Sequence, residues 1–153
     1  MPEAAVYVME KMAHGYRRMG KDAGAGFYEY ADDGSTALWS GLKAFERRGV
    51  NMPEEDIRDR LLFIQALEAV RCLEEGVVAS TAAADIGSVG LCGFPASTGG
   101  TVQFINALGT EQFVERAREL AARYGDRFLP TAHLADLASR QEPLQDRPLQ
   151  VAT

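Results

Sequence analysis

The chain has 153 residues, of which 46% are hydrophobic, and it carries a formal net charge of −6. This length and composition fit a globular protein with one hydrophobic core. The acidic balance argues against a protein that binds nucleic acid, because phosphate binding requires a clustered basic surface.

The sequence indicates neither a targeting segment nor a disulfide framework. The N-terminus lacks the basic region and the long apolar core of a signal peptide. The longest apolar stretch, Leu61–Val70, is interrupted by Gln65 and Glu68 and falls short of the roughly 20 apolar residues that span a membrane. The two cysteines, Cys72 and Cys92, suit a reducing compartment, and a zinc site would need more Cys or His nearby. We expect a cytoplasmic protein with no membrane span and no bound metal.

The first predicted element is an amphipathic helix over Ala4–Met19. Four large side chains recur on one of its faces, namely Met9, Met12, Tyr16 and Met19. This face either packs on a neighbouring element or, where that neighbour is absent, binds another protein. We predict self-association, with this helix in or near the contact of a two-fold dimer.

A glycine-rich turn, Gly20–Gly26, follows the helix. Its spacing, Gly-x3-Gly-x-Gly, differs from the G-x-G-x-x-G pattern of dinucleotide-binding loops. These glycines are expected to end the helix and reverse the chain. Phe27–Tyr30 is predicted as an extended segment, and Ser35 as the N-cap of a helix over Thr36–Arg48.

The central element is predicted to be a helix that starts after Asn51 and ends at Gly76. Pro53 in the first turn and the three acids of Glu54–Asp56 form a strong start signal, and the helix dipole explains the acids without a catalytic role. Because Leu61–Val70 is apolar on nearly every side, we predict that the helix is buried on nearly every side.

The next predicted helix, Thr81–Val89, is capped by Ser80 and carries Asp85. If Asp85 is partly buried, its carboxylate needs a donor, for which a backbone N–H of the following loop is the best candidate. That loop, Gly90–Gly100, is rich in glycine, which permits close approach of the backbone. Two interpretations stay open: contact with a ligand or partner, and a tight corner between two crossed helices.

Three further helices are predicted, over Thr101–Leu108, Glu111–Tyr124 and Ala132–Ser139. Arg140–Thr153 is polar, contains two prolines and shows no periodicity, which predicts a disordered tail. The pattern as a whole predicts an all-α fold with one short extended segment.

Several motifs in this order resemble one known family. The runs RLLFIQALEAVRCLEEGV, ADIGSVGLCGFP and TGG resemble the C-terminal helical domain of 3-hydroxyacyl-CoA dehydrogenases, and GKDAGAGFYEY resembles the segment that closes such a domain. The resemblance extends from about Met9 to about Leu134 and is strongest to the second tandem copy of the fatty-acid oxidation complex alpha-subunit type. It implies a small helical bundle of the 6-phosphogluconate dehydrogenase C-terminal-domain-like type.

The resemblance also implies a domain organisation. Residues 1–30 would be a remnant of the preceding helical domain, and residues 31–52 a linker helix. Residues 53–139 would form the helical C-terminal domain, and residues 140–153 the disordered tail.

The activity implied by the resemblance is the oxidation of an L-3-hydroxyacyl-CoA by NAD in fatty-acid β-oxidation. It requires a Rossmann domain for NAD and a histidine base oriented by a glutamate. Neither His14 nor His133 lies in such a motif. We therefore predict no catalytic, cofactor-binding or metal-binding residue in this chain and a structural, assembly role. Its partner would be a second copy or a Rossmann-bearing dehydrogenase chain.

The resemblance singles out two places near a substrate region. Asp59 stands where the family carries an asparagine directed at the substrate, and an ionised carboxylate cannot donate a hydrogen bond. The loop motif of possible contacts comprises Gly93, Phe94, Pro95, Gly99 and Gly100.

An alternative hypothesis is a freestanding dimerisation or acyl-CoA-binding helical module. The nearest basic residues for the CoA phosphates are Lys11, Arg17, Arg18 and Lys21, which a solvated helix end explains equally well. An autonomous enzyme is the weakest hypothesis, because no acid–base pair or cofactor cradle is visible.

Overall fold

The computed structural model describes residues 3–47, 49 and 51–146. The chain forms two compact units that divide between Asn51 and Met52, and each unit is described by itself. As predicted, the fold is mostly helical, and the described residues contain one small sheet of two strands. None of the helices in these ranges combines the length and apolar character that crossing a bilayer requires.

The first unit is built from short elements. These are α1 (Glu3–Glu10), which continues as a π-helical turn (Lys11–Gly15), a 3₁₀ turn (Lys21–Ala23), strands β1 (Tyr28–Tyr30) and β2 (Thr36–Leu38), and a 3₁₀ helix (Ser40–Phe45). The two strands pair antiparallel, with Tyr28 opposite Leu38.

The predicted linker helix over Thr36–Arg48 is wrong, because its first residues form β2. The intervening turn closes a hairpin: the Ala31 N–H donates to the Ser35 carbonyl at 3.0 Å, and Gly34 has a φ of 81°. The Ser35 N–H donates to Asp33 Oδ1 at 2.8 Å, so Ser35 takes part in the turn instead of capping a helix. The unit therefore has two extended segments where one was predicted.

Arg18 joins the parts of the first unit. Its guanidinium lies 4.5 Å from the centre of the Trp39 ring. Its Nε donates to the Gly26 carbonyl at 2.7 Å, and its Nη2 donates to the Tyr28 carbonyl at 3.0 Å. The guanidinium of Arg18 is therefore engaged in contacts within the first unit.

The single methionine face predicted for the first helix is also wrong. Met12 is buried, whereas Met9, Tyr16 and Met19 are 54%, 42% and 74% exposed. The helical path ends before Arg17, whose φ of 55° turns the chain away, so Met19 no longer follows the helical period.

The second unit is a bundle of five helices. They are α2 (Glu54–Glu74), α3 (Thr81–Leu91), α4 (Thr101–Leu108), α5 (Thr110–Tyr124) and α6 (Ala132–Ser139). Its core centres on an aromatic cluster in which the rings of Phe63 and Phe113 stack with centroids 4.4 Å apart and Phe104 packs edge-on against both.

The central helix α2 packs against α3, α4 and α5. Its buried stripe is Phe63, Ala66, Leu67 and Val70, which is one face of a regular helix. The prediction that α2 is buried on nearly every side is wrong, since Leu61 on the opposite face is 62% exposed.

The predicted disordered tail is wrong for residues 140–146, while residues 147–153 lie outside the described residues. Leu144 is buried, and its backbone N–H and carbonyl both bond to the Asn106 side chain, at 2.8 and 2.9 Å. Asp146 Oδ1 accepts from the Thr81 N–H at 2.6 Å, at the start of α3. The buried Leu144 side chain and these hydrogen bonds thus contribute to holding this polar segment on the bundle.

Two leucines of α2 test which face is buried. Leu67→Ala is expected to lower the free energy of unfolding by about 2–5 kcal/mol, because Leu67 is fully buried and truncation leaves a cavity. Leu61→Ala, the same change at the exposed position, is expected to alter it by less than about 0.5 kcal/mol. Chemical denaturation measures both, and equal losses would contradict the assignment of the buried face.

Candidate functional site

A cluster of charged side chains joins the start of α2 to α5. Asp56 on α2 is fully buried. Its carboxylate accepts hydrogen bonds from Arg116 Nη2 at 2.6 Å, Arg123 Nη1 at 3.1 Å and the Tyr124 hydroxyl at 2.5 Å. All three donors lie on α5, so the carboxylate fixes the beginning of α2 against that helix.

Asp59, the position predicted to face a substrate, belongs to the same cluster. Arg116 Nε donates to Asp59 Oδ2 at 2.8 Å, and Arg116 Nη1 donates to Glu119 at 2.8 Å. Arg58 lies 3.6 Å from the other carboxylate oxygen. The three guanidinium nitrogens of Arg116 therefore bridge three carboxylates, and Asp59 is an acceptor within this network.

Two groups of the cluster, Asp56 and Tyr124, have pKa values shifted away from neutral pH. The hydroxyl of Tyr124, followed by Arg116, lowers the pKa of Asp56 to about 2. The same hydrogen bond to Asp56 raises the pKa of Tyr124 above its ordinary value. A general acid or base works best with a pKa near the operating pH, so this arrangement suits structural fixation better than proton transfer.

Sequence reasoning missed Asp56, Arg116, Arg123 and Tyr124. In the sequence, the helix dipole is a sufficient explanation for the three acids at the start of α2. A signal was nevertheless present, since Asp56 lies seven residues before Phe63 and so shares the face of that buried residue. Arg116 and Arg123 are likewise seven residues apart on one side of α5.

The buried carboxylate predicts a specific loss of stability in acid. Because the folded pKa of Asp56 is below its ordinary value of 3.8, its stabilising effect is present above about pH 4 and is lost as the pH falls toward 2. Asp56→Asn should be less stable than the parent at pH 7, and this difference should shrink between pH 4 and pH 2. Asp126→Asn, at an exposed position, serves as the control. The assignment would be contradicted if the free energy of unfolding of Asp56→Asn differed from that of the parent by the same amount at every pH.

A second buried carboxylate organises the glycine-rich loop. Asp85 Oδ1 accepts from the N–H groups of Val102 and Gln103 at 2.7 and 3.3 Å, at the start of α4. The Thr101 N–H donates to Ser88 Oγ at 3.2 Å. The prediction that a buried Asp85 would accept from a backbone N–H is confirmed, but the donors lie in the first turn of α4 and not in the loop Gly90–Gly100 as expected. The result is an N-terminal cap supplied from another helix.

The predicted loop contacts fall into two groups. Phe94 and Gly100 are buried, while Gly93, Pro95 and Gly99 are exposed. Gly93 and Gly99 have φ values of 71° and 81°, which suit the turns on either side of a short 3₁₀ segment. This geometry supports the interpretation of the loop as a tight corner between α3 and α4. The other interpretation, contact with a ligand at the exposed loop residues, stays a prediction.

Gly100 tests this interpretation of the loop. A Cβ at Gly100 would lie 2.5 Å from the Cα and Oδ1 of Asp85, and φ there is +120°. Gly100→Ala should therefore lower the free energy of unfolding by more than about 1 kcal/mol. Gly90→Ala, in an open position within α3, should raise it by up to about 1 kcal/mol through helix propensity. Thermal or chemical unfolding would contradict this if Gly100→Ala were neutral.

The remaining chemically active side chains are dispersed. His14 belongs to the first unit and His133 to α6 of the second. Cys72 is half-buried, Cys92 is exposed, and both thiols are free. Across residues 3–47, 49 and 51–146 there is no group of three or more His, Cys, Asp or Glu side chains placed to hold a metal.

Comparison with known proteins relates this chain to part of a longer protein. It is 36% identical over 134 residues to the fatty acid oxidation complex subunit alpha of Pseudomonas savastanoi pv. phaseolicola. It is 35% and 32% identical over 133 residues to the subunits of the same name from Pseudomonas syringae pv. syringae and Shewanella sp. strain MR-4. No family model matches the chain. The matched segment covers 80–81% of this chain, and the chain spans 18% of the length of these relatives, so it is similar to one segment of them.

Proposed function

We propose that this chain is the helical C-terminal portion of a 3-hydroxyacyl-CoA dehydrogenase of fatty-acid β-oxidation, with a structural and assembly role. The identity to fatty acid oxidation complex alpha subunits supports the link to β-oxidation. In this proposal NAD is held by a Rossmann domain outside these 153 residues. The chain supplies a helical body against which that domain closes.

The observation that carries the structural role is the pairing of Asp59 with Arg116 at 2.8 Å. By resemblance, this position faces the substrate in the catalytic copy of the domain and carries a hydrogen-bond donor there. Here the side chain is an acceptor whose charge is balanced by an arginine of α5. It stabilises the bundle and offers no donor to a developing oxyanion.

The surface of the first unit supports an assembly role. Among its described residues, Met12 is the buried large hydrophobic side chain, whereas Tyr7, Met9, Met19 and Leu38 are all more than half exposed. A unit that leaves so much apolar surface in water is typical of a segment that packs against another domain. Residues 1–30 are accordingly proposed as the remnant of a preceding helical domain, and a Rossmann-bearing dehydrogenase chain as the partner.

The acyl-CoA-binding alternative is less well supported. Arg18, one of the basic residues nearest to a CoA phosphate site, is occupied by Trp39, two backbone carbonyls and Glu29, whose carboxylate lies 3.0 Å away. A freestanding dimerisation module remains the second candidate. Helix α3 exposes apolar side chains, and an interface formed by them would not require a dehydrogenase domain.

The proposal predicts that this chain alone does not form NADH from 3-hydroxybutyryl-CoA and NAD. The reason is that its sequence carries no dinucleotide fingerprint and no histidine in a family catalytic motif. NADH absorbance at high protein concentration is the measurement, with a complete fatty acid oxidation complex alpha subunit as the positive control. The Asp59→Asn variant, which carries the amide found in the family, should also be inactive by itself. Activity of this variant would support a direct role of position 59 in the reaction. Turnover that co-purifies with the folded parent chain would refute the proposal.

A further inference from the structure

Residues 142–146, with the sequence Glu-Pro-Leu-Gln-Asp, follow α6 as a segment without helix or strand. The ring of Pro143 fixes its own backbone and biases Glu142 toward an extended conformation. Leu144 is 5% exposed, whereas the other four residues of the segment are exposed. One buried side chain on an otherwise exposed segment is typical of a short peptide bound to a finished surface.

The bundle holds the backbone of this segment with its own side chains. The Asn106 amide of α4 donates to the Leu144 carbonyl at 2.9 Å and accepts from the Leu144 N–H at 2.8 Å. The Thr110 hydroxyl, at the start of α5, donates to the Glu142 carbonyl at 2.9 Å. Residues 143–146 form no backbone–backbone hydrogen bond with any described residue. The segment is therefore held as peptide-binding domains hold an extended ligand, by main-chain hydrogen bonds to groups of the groove.

The acidic side chain of the segment meets the start of a helix. Asp146 Oδ1 accepts from the N–H of Thr81, the first residue of the 11-residue helix α3, at 2.6 Å. Ser80 accepts from the Ala83 N–H in the same turn, so the two side chains share the free donors of α3. A carboxylate is favoured at this end of a helix by the helix dipole. The surface thus reads two side chains, a leucine and an acid two residues later.

The segment fits the bundle less closely than the core residues fit one another. A cleft of about 130 Å³ remains beside it, bordered by Leu144 and Asp146 of the segment and by Val70, Val78 and His133 of the bundle. Protein cores leave few voids larger than a water molecule. The incompletely filled boundary indicates that the segment docks on a bundle whose core is complete without it.

We propose that the surface formed by Asn106, Thr110, the start of α3 and the Leu144 pocket is a peptide-binding site, which residues 142–146 occupy as a displaceable ligand within the same chain. The partner that fits this site is an extended segment of another polypeptide with the same chemistry: a leucine after a proline, and a carboxylate two residues beyond the leucine. The site goes beyond the proposed function, since neither the groove nor its ligand depends on a dehydrogenase domain.

A synthetic peptide tests the site directly. The probe is Gln-Glu-Pro-Leu-Gln-Asp, the sequence of residues 141–146, with a fluorescent label at its N-terminus. In the full chain, Leu144→Ser removes the apolar anchor of the built-in segment, so fluorescence anisotropy should show binding to this variant with a Kd below about 1 mM. The parent chain should bind at least about tenfold more weakly, because its own segment competes at an effective concentration in the millimolar range.

Two matched controls define what the site reads. A peptide with alanine in place of its leucine should bind the Leu144→Ser chain at least about tenfold more weakly, because the pocket stays empty. The unaltered peptide should lose affinity by a similar factor when Asn106→Ala is added to that chain, because two main-chain hydrogen bonds are lost. A folded Leu144→Ser chain that does not bind at about 1 mM peptide would overturn the proposal. Equal affinity of parent and variant, or an affinity unchanged by Asn106→Ala, would overturn it as well.

Amide hydrogen exchange of the parent chain keeps the proposal testable if Leu144→Ser disturbs folding. A displaceable segment opens without unfolding of the bundle, so the Leu144 N–H should have a protection factor at least about tenfold lower than the N–H of Leu67 in α2. Asp146→Ala should raise the exchange rate at Leu144 by about threefold, because the start of α3 loses its carboxylate. Gln145→Ala, at the neighbouring exposed residue, should leave that rate unchanged.

Two results of the exchange experiment would overturn the proposal. Equal protection of Leu144 and Leu67 would mean that the segment leaves only when the bundle unfolds. An exchange rate at Leu144 that Asp146→Ala does not change would mean that the acid is not read by the start of α3.

Discussion

The buried carboxylate of Asp56 is the constraint around which the helical bundle is arranged. An ionised group without solvent must find donors, and Arg116, Arg123 and Tyr124 of α5 provide them at 2.5–3.1 Å. The stacked rings of Phe63 and Phe113, on the same two helices, continue the contact into the core. Polar contacts at the N-terminus of α2 and apolar contacts at its middle therefore fix the same pair of helices.

The same physical device appears again at the other side of the bundle. Asp85 of α3 receives the first free N–H groups of α4, and Gly100 allows the backbone to approach that carboxylate closely. Packing between α3 and α4 thus explains why these residues of the dehydrogenase-like motifs occur here, without reference to a ligand. The packing of these residues therefore accounts for the resemblance at the level of the fold.

The two units expose different kinds of apolar surface. The first unit exposes aromatic and methionine side chains and buries little of its own apolar surface. The second has a well-packed core, and its helix α3 exposes the apolar side chains of Ile86 and Leu91. A chain with a structural role in a larger assembly would need such surfaces, and each can be tested separately by exposed substitutions that spare the core.

The sequence by itself determined where most helices begin and end, because caps and glycines act locally. Ser80 accepts from the Ala83 N–H as predicted, and Gly76 takes the left-handed conformation just after α2. It also predicted the kind of donor that Asp85 would need. Only the tertiary structure decided which side of α2 is buried, since a helix that is apolar all round carries no signal for one face. The donors that Asp56 finds on α5 and the anchoring of Leu144 by Asn106 likewise depend on residues distant in sequence.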